Sequence, residues 1–109
     1  MSKKQLPLSI LIVDDEEGIR HGLKSWFSKR YQVYDSPDYE TAISIANKKN
    51  PDIAVLDIRL KGNKTGIDLF RELMGINADM IVILITGYGS LSDAVAAMKE
   101  GAKDYLLKP

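Results

Sequence analysis

The 109-residue chain contains no cysteine and a single histidine, His21. The composition therefore excludes disulfides, thiolate metal sites and cysteine nucleophiles. The 15 basic and 15 acidic residues balance, so no net field draws the chain to nucleic acid or to an anionic membrane. No apolar run approaches the roughly 20 residues that span a bilayer, and the amino terminus lacks the apolar stretch of a signal peptide. We therefore expect one cytoplasmic domain that binds neither nucleic acid nor membrane directly.

Short runs rich in aliphatic and β-branched residues alternate with longer amphipathic segments along the whole chain. This alternation predicts β-α-β units and an α/β fold with a parallel sheet. We predict five strands and four helices. The strands are expected at residues 8–13, 32–35, 53–56, 80–85 and 105–107. The helices are expected at 17–28, at 39–49, from Gly66 onward, and from Ser90 or Ser92 to Glu100, where either serine is a candidate cap.

Two aspartates stand just before predicted helices. Asp15 precedes the first helix and Asp38 the second, and both are expected to cap them, because a carboxylate accepts hydrogen bonds from free amides at a helix start. Gly101 is expected to end the fourth helix. The first helix also carries an apolar stripe that should face the sheet. Its members are Ile19, Leu23, Trp26 and Phe27.

Polar residues stand at the downstream ends of four of the predicted strands. They are Asp14 and Asp15 after the first strand, Asp57 after the third, Thr86 after the fourth and Lys108 after the fifth. Because ligands of open α/β sheets bind at the carboxyl ends of the strands, we expect these groups to share one pocket. Three neighbouring carboxylates repel one another unless a cation neutralises them, and Mg²⁺ prefers oxygen ligands. The pattern predicts a site for a hard divalent cation and a phosphoryl group.

Within this pocket Asp57 is the better candidate nucleophile. It stands alone at the end of the central strand, whereas Asp14 and Asp15 are adjacent and better placed to hold metal. Attack by an aspartate on phosphorus would form an acyl phosphate. The metal and Lys108 would supply the charge neutralisation on which such transfers depend.

Four stretches of the chain resemble the receiver domains of two-component response regulators. They are residues 12–16, 55–57, 85–87 and 101–109. The resemblance implies a flavodoxin-like, doubly wound sheet of strand order 2-1-3-4-5. It also implies Mg²⁺-dependent transfer of a phosphoryl group from a phosphohistidine on a sensor histidine kinase to Asp57. Such a domain is a regulatory phosphoacceptor and not a multiple-turnover enzyme.

The resemblance also implies roles for individual residues around the phosphoacceptor. Asp15 resembles the direct metal ligand and Asp14 its partner, which often acts through water. The backbone carbonyl of Arg59 would complete the protein ligands of the metal together with Asp57. Arg59 and Tyr88 flank the expected path of the attacking water, so they are candidates for tuning the lifetime of the phosphoryl group.

The switch residues follow from the same resemblance. Thr86 resembles the hydroxyl that moves to bind the phosphoryl oxygens, and Lys108 resembles the lysine that pairs first with Asp57 and then with the phosphate. Tyr105 resembles the aromatic residue that turns inward when Thr86 moves. The surface of the fourth helix and fifth strand would then change shape and be read by partners.

The chain departs from the family pattern in two places. The family usually has proline where Lys61 stands and its glycine one residue before Gly66, so this loop is about one residue longer. The family also has a fifth helix, whereas this sequence stops at Pro109. We therefore expect a receiver domain over residues 1–109, truncated before its last helix, with apolar surface exposed beside the first helix. Dimerisation could cover that surface.

Residues 85–108 also resemble the receivers of enhancer-binding transcriptional activators, which implies a transcriptional output domain beyond the carboxyl end. Two alternatives compete with a receiver. An aspartate-nucleophile phosphatase would share the strand-end aspartate and Mg²⁺, but it usually has an acidic residue where Arg59 stands. An interaction module that is never phosphorylated would have no need for all three aspartates together with Lys108.

Overall fold

The computed structural model of the protein describes residues 7–108, which form alternating strands and helices. Each predicted element is present, and the ends that were predicted lie within one residue of those observed. A turn of 3-10 helix at Tyr88–Ser90 precedes the last helix. The strands are β1 (Ser9–Val13), β2 (Gln32–Ser36), β3 (Ile53–Asp57), β4 (Ile81–Thr86) and β5 (Asp104–Leu107), and the helices are α1 (Glu17–Phe27), α2 (Tyr39–Lys49), α3 (Gly66–Ile76) and α4 (Leu91–Lys99).

The five strands form one parallel sheet in the order β2-β1-β3-β4-β5. The strand order that the resemblance implied is therefore confirmed, and the fold is the flavodoxin-like α/β fold. The central strand β3 buries four of its five residues, as expected for a strand covered on both faces. Because every strand runs in the same direction, the residues that follow β1, β3, β4 and β5 lie at the same edge of the sheet.

Two apolar clusters lie on opposite faces of the sheet, since successive residues of a strand point to alternate sides. The larger cluster packs α2, α3 and α4 against the sheet and includes Leu11, Leu56 and Phe70. The smaller cluster lies beneath α1 and includes Ile10 and Ile12. The helices therefore cover both faces, which is the doubly wound arrangement.

The apolar stripe predicted for α1 is correct except at Trp26. Ile19, Leu23 and Phe27 are half-buried, and the last two pack against the smaller cluster. The prediction that Trp26 faces the sheet is wrong, because its side chain is 66% exposed. Leu23 and Phe27 lie four residues apart and define the inward direction of the helix, so Trp26 points to the side. There its ring makes a T-shaped contact with the ring of Phe27, with 5.0 Å between the ring centroids.

Apolar side chains are exposed on the α1 side of the sheet, as expected. Leu106 is 56% exposed and Ile81 is 44% exposed. Leu106 pairs in register with Ile85, which belongs to the smaller cluster. Leu106 therefore lies on the face that α1 covers only in part.

The starts of α1 and α2 differ in how their free amides are satisfied. At α2, the prediction of an aspartate cap is confirmed, since Asp38 accepts a hydrogen bond from the amide of Thr41 at 2.8 Å. At α1, the prediction that Asp15 caps the helix is wrong. The N-cap residue is Glu16, which makes no capping bond through its side chain. The amide of Glu16 donates instead to the carboxylate of Asp14 at 2.8 Å.

The starts of α3 and α4 differ in the same way. Thr65 and Asp68 form a reciprocal capping box at α3, in which each side chain accepts a hydrogen bond from the other residue's amide. Of the two candidate serines at α4, Ser90 and not Ser92 takes the N-cap position. The hydroxyl of Ser90 makes no capping bond and accepts a hydrogen bond from Arg59 instead.

The helices are nine to eleven residues long. Helix α4 ends at Lys99, one residue before the predicted end at Glu100. Gly101 follows with φ of 119°, a conformation that glycine adopts without steric cost. Within residues 7–108, no helix has both the length and the apolar character needed to cross a membrane.

Candidate functional site

Asp14 is the buried carboxylate that follows β1. Its amide donates to the carbonyl of Ser36 in β2, and its carbonyl accepts from Nη1 of Arg20 at 2.8 Å, so its backbone is fixed from two sides. Its Oδ1 accepts from the amide of Glu16, whereas its Oδ2 has no hydrogen-bond partner among the described residues. Burial raises the pKa of the Asp14 carboxyl, the Glu16 amide opposes that shift, and the neighbouring charge of Asp57 adds to it.

Asp57 ends β3 and is almost completely buried. Its Oδ1 accepts a hydrogen bond from the amide of Arg59 at 3.1 Å. Its Oδ2 accepts one from Nζ of Lys108 at 2.8 Å. A carboxylate oxygen has two acceptor positions, so each oxygen of Asp57 can make a further contact while these hydrogen bonds persist.

Lys108 joins the end of β5 to the carboxylates. Besides Asp57, its ammonium group contacts Oε1 of Glu16 at 3.0 Å and lies 3.9 Å from Oδ2 of Asp14. Its backbone amide donates to the carbonyl of Thr86 at 2.8 Å, which fixes where the side chain starts. Partial burial would lower the pKa of Lys108, but its hydrogen bonds to Asp57 and Glu16 outweigh burial and raise the pKa above its ordinary value. The lysine therefore stays positively charged.

Four carboxylates meet at this edge of the sheet. Asp14, Asp15, Glu16 and Asp57 each contribute an oxygen, and these oxygens lie within 4.8 Å of one another. They face the single ammonium group of Lys108, an excess of negative charge that favours a bound cation. The ligands are all oxygen, and Oδ2 of Asp14 is a buried acceptor with no hydrogen bond from the described residues. The residues therefore fit Mg²⁺, which suits such a set of ligands.

The sequence prediction omits Glu16 from the site. Glu16 directly follows Asp14 and Asp15, so its position alone could have indicated a third acidic residue at this edge of the sheet. Its contact with Lys108 has no such signal, because the two residues are 92 positions apart. The Glu16 carboxylate is also 58% exposed, so it lies at the mouth of the acidic cluster while Asp14 and Asp57 lie inside.

Thr86 ends β4 and lies at the same edge as the carboxylates. It is fully buried, and its hydroxyl donates to the carbonyl of Gly87 at 2.9 Å. Its own carbonyl accepts from the amide of Lys108. The sheet therefore brings together all five strand-end residues that the sequence singled out, and their individual roles remain predictions.

The remaining predicted residues lie around this edge. Tyr105 is half-buried in β5 and packs against the larger apolar cluster. Arg59 is exposed, and its amide contacts Asp57 while its guanidinium contacts Ser90. The side chain of Tyr88 lies outside the described part of the chain. Metal ligation by the Arg59 carbonyl remains a prediction.

Gly66 closes the loop that follows Asp57. Its amide donates to the carbonyl of Ile58 at 2.7 Å. A Cβ atom at Gly66 would collide with the carbonyl oxygen of Asp57 and would lie 2.7 Å from Cα of Ile58. Only glycine fits this contact. The glycine is one residue later than the family spacing, and it still meets the backbone at the end of β3.

Comparison with known proteins extends these observations. The family model of the response regulator receiver domain matches residues 10–109. The photosynthetic apparatus regulatory protein RegA of Rhodovulum sulfidophilum is 39% identical over 102 residues, which cover 93% of this chain and 55% of RegA. The two-component response regulator PhoP of Pseudomonas aeruginosa is 34% identical over 103 residues, which cover 94% of this chain and 45% of PhoP. The chain thus spans about half the length of these relatives.

Solved structures agree with the sequence relatives. A response regulator receiver domain protein from Clostridium thermocellum superposes with a TM-score of 0.86 at 33% identity, covering 94% of this chain and 82% of that one. NtrX from Brucella abortus, in complex with ADP, superposes with a TM-score of 0.88 at 31% identity, covering 95% of this chain and 24% of NtrX. The chain therefore belongs to the receiver domains of two-component response regulators, which are regulatory phosphoacceptors and not enzymes.

Proposed function

We propose that this domain is a phosphorylation-activated signalling switch that accepts a phosphoryl group on Asp57 from a sensor histidine kinase. The observation that carries the proposal is the position of the Asp57 carboxylate. It lies within the acidic cluster and accepts a hydrogen bond from the Lys108 ammonium group. A carboxylate between a cation site and a fixed positive charge is suited to nucleophilic phosphoryl transfer.

The transfer forms one P–O bond and breaks one P–N bond. An oxygen of Asp57 attacks the phosphorus atom of a phosphohistidine, the P–N bond breaks, and the imidazole leaves with the electron pair. Asp14, Asp15, Asp57 and the carbonyl of Arg59 would hold Mg²⁺, which when bound neutralises charge on the phosphoryl oxygens. Because the Lys108 ammonium group already contacts Asp57, it is positioned to neutralise part of the added charge without a large movement.

The switch depends on charge added to a buried pocket. A phosphoryl group brings about −1.5 to −2 charge and three acceptor oxygens. Thr86 would leave the carbonyl of Gly87 and donate to a phosphoryl oxygen, while Lys108 stays with the phosphorylated side chain. Tyr105, which is half-buried, would then turn further inward.

The surface that reports this change is made by α4 and β5. Val95, Met98 and Leu107 are all exposed there, and such apolar side chains favour a protein partner. We propose that this surface controls an output domain or a partner that acts in transcription regulation. We also propose that the same surface can support a homodimer. Relatives about twice as long as this chain are consistent with an output domain on the same polypeptide.

Incubation with acetyl phosphate and Mg²⁺ tests the proposal. Intact mass spectrometry should find one added phosphoryl group on the wild-type protein and none on Asp57→Asn. Chelation of Mg²⁺ should also prevent the addition. Asp52→Asn is the matched control, because it removes a carboxylate at the other end of the same strand and should leave the addition intact.

Two results would contradict the proposal. The first is a folded wild-type protein that gains no mass, as expected of an interaction module that is never phosphorylated. The second is sustained release of phosphate from phosphate esters over many turnovers, as expected of a phosphatase.

A further inference from the structure

The side chain of Arg59 links the loop after β3 to the segment between β4 and α4. Its Nε donates to Oγ of Ser90 at 3.0 Å. Ser90 is 3% exposed, and its hydroxyl makes no capping bond to α4 although it occupies the N-cap position. Within residues 7–108 the hydroxyl is therefore used for the contact with Arg59 and not for the helix.

Gly89 makes room for this contact. A Cβ atom at Gly89 would lie 2.5 Å from Nη2 of Arg59, which is too close for any real pair of these atoms. The guanidinium therefore packs directly against the backbone of the segment whose next residue it binds. A side chain at position 89 would have to displace Nη2, the end of the Arg59 side chain.

The contact completes a path of hydrogen bonds from Asp57 to Thr86. Asp57 accepts from the amide of Arg59, and the guanidinium of Arg59 donates to Ser90. The amide of Ser90 donates to the carbonyl of Gly87 at 3.1 Å. The same carbonyl accepts from the hydroxyl of Thr86. The proposed phosphoacceptor and the proposed switch hydroxyl are thus joined through Arg59 and Ser90.

We propose that the Arg59–Ser90 contact is a latch that holds the β4–α4 segment in its unphosphorylated arrangement, with Arg59 and Ser90 as positioning residues for Thr86. The inference rests on the proposed phosphoryl switch. Moving the segment while Arg59 stays in place leaves the buried hydroxyl of Ser90 without its partner, which is unfavourable. A phosphoryl group on Asp57, two positions before Arg59, attracts the guanidinium and so weakens the latch.

Amide ¹⁵N relaxation dispersion on the unphosphorylated protein tests the latch. Arg59→Met removes the donor, and Ser90→Ala removes the acceptor. Each should raise the population of the minor state seen at Gly87 and Gly89 by about threefold to tenfold, the range expected for one lost hydrogen bond. Because both variants break the same contact, the double variant should match the single ones.

The direction of the change separates a latch from a merely structural contact. In both variants, the amide resonances of Gly87 and Gly89 should shift toward their positions in wild-type protein treated with acetyl phosphate and Mg²⁺. Lys61→Met is the control, because it removes an exposed positive charge from the same loop and should leave the minor population unchanged.

Unchanged populations in Arg59→Met and Ser90→Ala would overturn the latch, as would additive effects in the double variant or shifts away from the phosphorylated positions. These outcomes are distinct from failure of the proposed function. The dispersion measurement needs no phosphoryl group, whereas the absence of phosphoryl uptake by the wild-type protein would refute the switch itself.

Discussion

The two ends of strand β3 both carry an aspartate, and the two carboxylates have different surroundings. Asp52, before the strand, accepts hydrogen bonds from the amide and the hydroxyl of Ser9 at 2.9 and 3.3 Å. Asp57, at the other end, accepts from a lysine and a backbone amide and lies among three further carboxylates. The first carboxylate ties β1 to β3, whereas the second lies in a pocket with excess negative charge.

The difference shows that one end of the parallel sheet carries polar groups that stabilise strand pairing, whereas the other end carries the groups of the candidate site. At the amino ends of β1 and β3, the Asp52 amide also donates to the hydroxyl and to the carbonyl of Ser9. These polar groups therefore support the pairing of the two strands. After the strands, the chain turns into helices and leaves carboxylates gathered without enough donors. Stability and Mg²⁺ binding should therefore respond differently to substitutions at the two ends.

The largest change in stability is expected from Lys108→Met. It should lower the free energy of unfolding in EDTA by about 2 to 3 kcal/mol, because it leaves the buried Asp57 carboxylate without its positive partner. Mg²⁺ should restore more stability to this variant than to the wild type, since the site becomes more negative. Urea unfolding with and without Mg²⁺ measures both effects. Equal stability of the two proteins in EDTA would refute this role of Lys108.

Asp14→Asn should weaken Mg²⁺ binding by about tenfold. Calorimetric titration measures the affinity, with Asp52→Asn as the control that should bind like the wild type. In metal-free buffer the same variant should be more stable by about 1 kcal/mol, because it removes a buried charge whose Oδ2 lacks a hydrogen bond. If Asp14→Asn instead lost stability and kept its Mg²⁺ affinity, Asp14 would behave like Asp52. That result would contradict the proposed difference between the two ends of the sheet.

Asp52→Ala should lower the free energy of unfolding by about 1 kcal/mol, because Ser9 loses an acceptor for its amide and hydroxyl. Phosphoryl uptake from acetyl phosphate and the affinity for Mg²⁺ should not change. Chemical denaturation and intact mass spectrometry measure these properties on the same samples. A defect in uptake by the folded variant would show that the two ends of β3 are coupled.

The smallest effect is expected from Glu16→Gln. This carboxylate is exposed, so its contact with Lys108 should contribute about 0.5 kcal/mol or less. The difference between variant and wild type should shrink further as salt screens the pair. Thermal unfolding at low and high ionic strength measures it. A loss as large as that of Lys108→Met would place Glu16 with the buried members of the site.

The parallel sheet and the residues at the ends of its strands follow from the sequence because both depend on local patterns, whereas the order of the strands was implied by the resemblance to receiver domains. Apolar runs define the strands, and the alternation with helices makes the sheet parallel, so Asp14, Asp57, Thr86 and Lys108 must end at one edge. The capping box of Thr65 was also open to prediction, since its pattern of a threonine followed three residues later by an acidic residue is local.

Contacts between distant residues have no comparable signal. The cap at α1 depends on the backbone direction after β1, which places Glu16 and not Asp15 at the N-cap position and brings the Glu16 amide to the carboxylate of Asp14. The Arg59–Ser90 and Lys108–Glu16 contacts depend on side-chain conformations across 31 and 92 positions. Hydrophobic periodicity says nothing about such conformations.

The close contact of Gly66 with the backbone of Asp57 and Ile58 has a consequence for how the domain tolerates change. The loop of residues 59–65 leaves β3 and returns to the same point, where the Gly66 amide meets the Ile58 carbonyl. Residues added near Gly62, which already turns the chain with φ of 101°, would enlarge the loop outward at little entropic cost. The tip of this loop is therefore the place at which a label or a short insertion can be accommodated without displacing the Asp57 carboxylate.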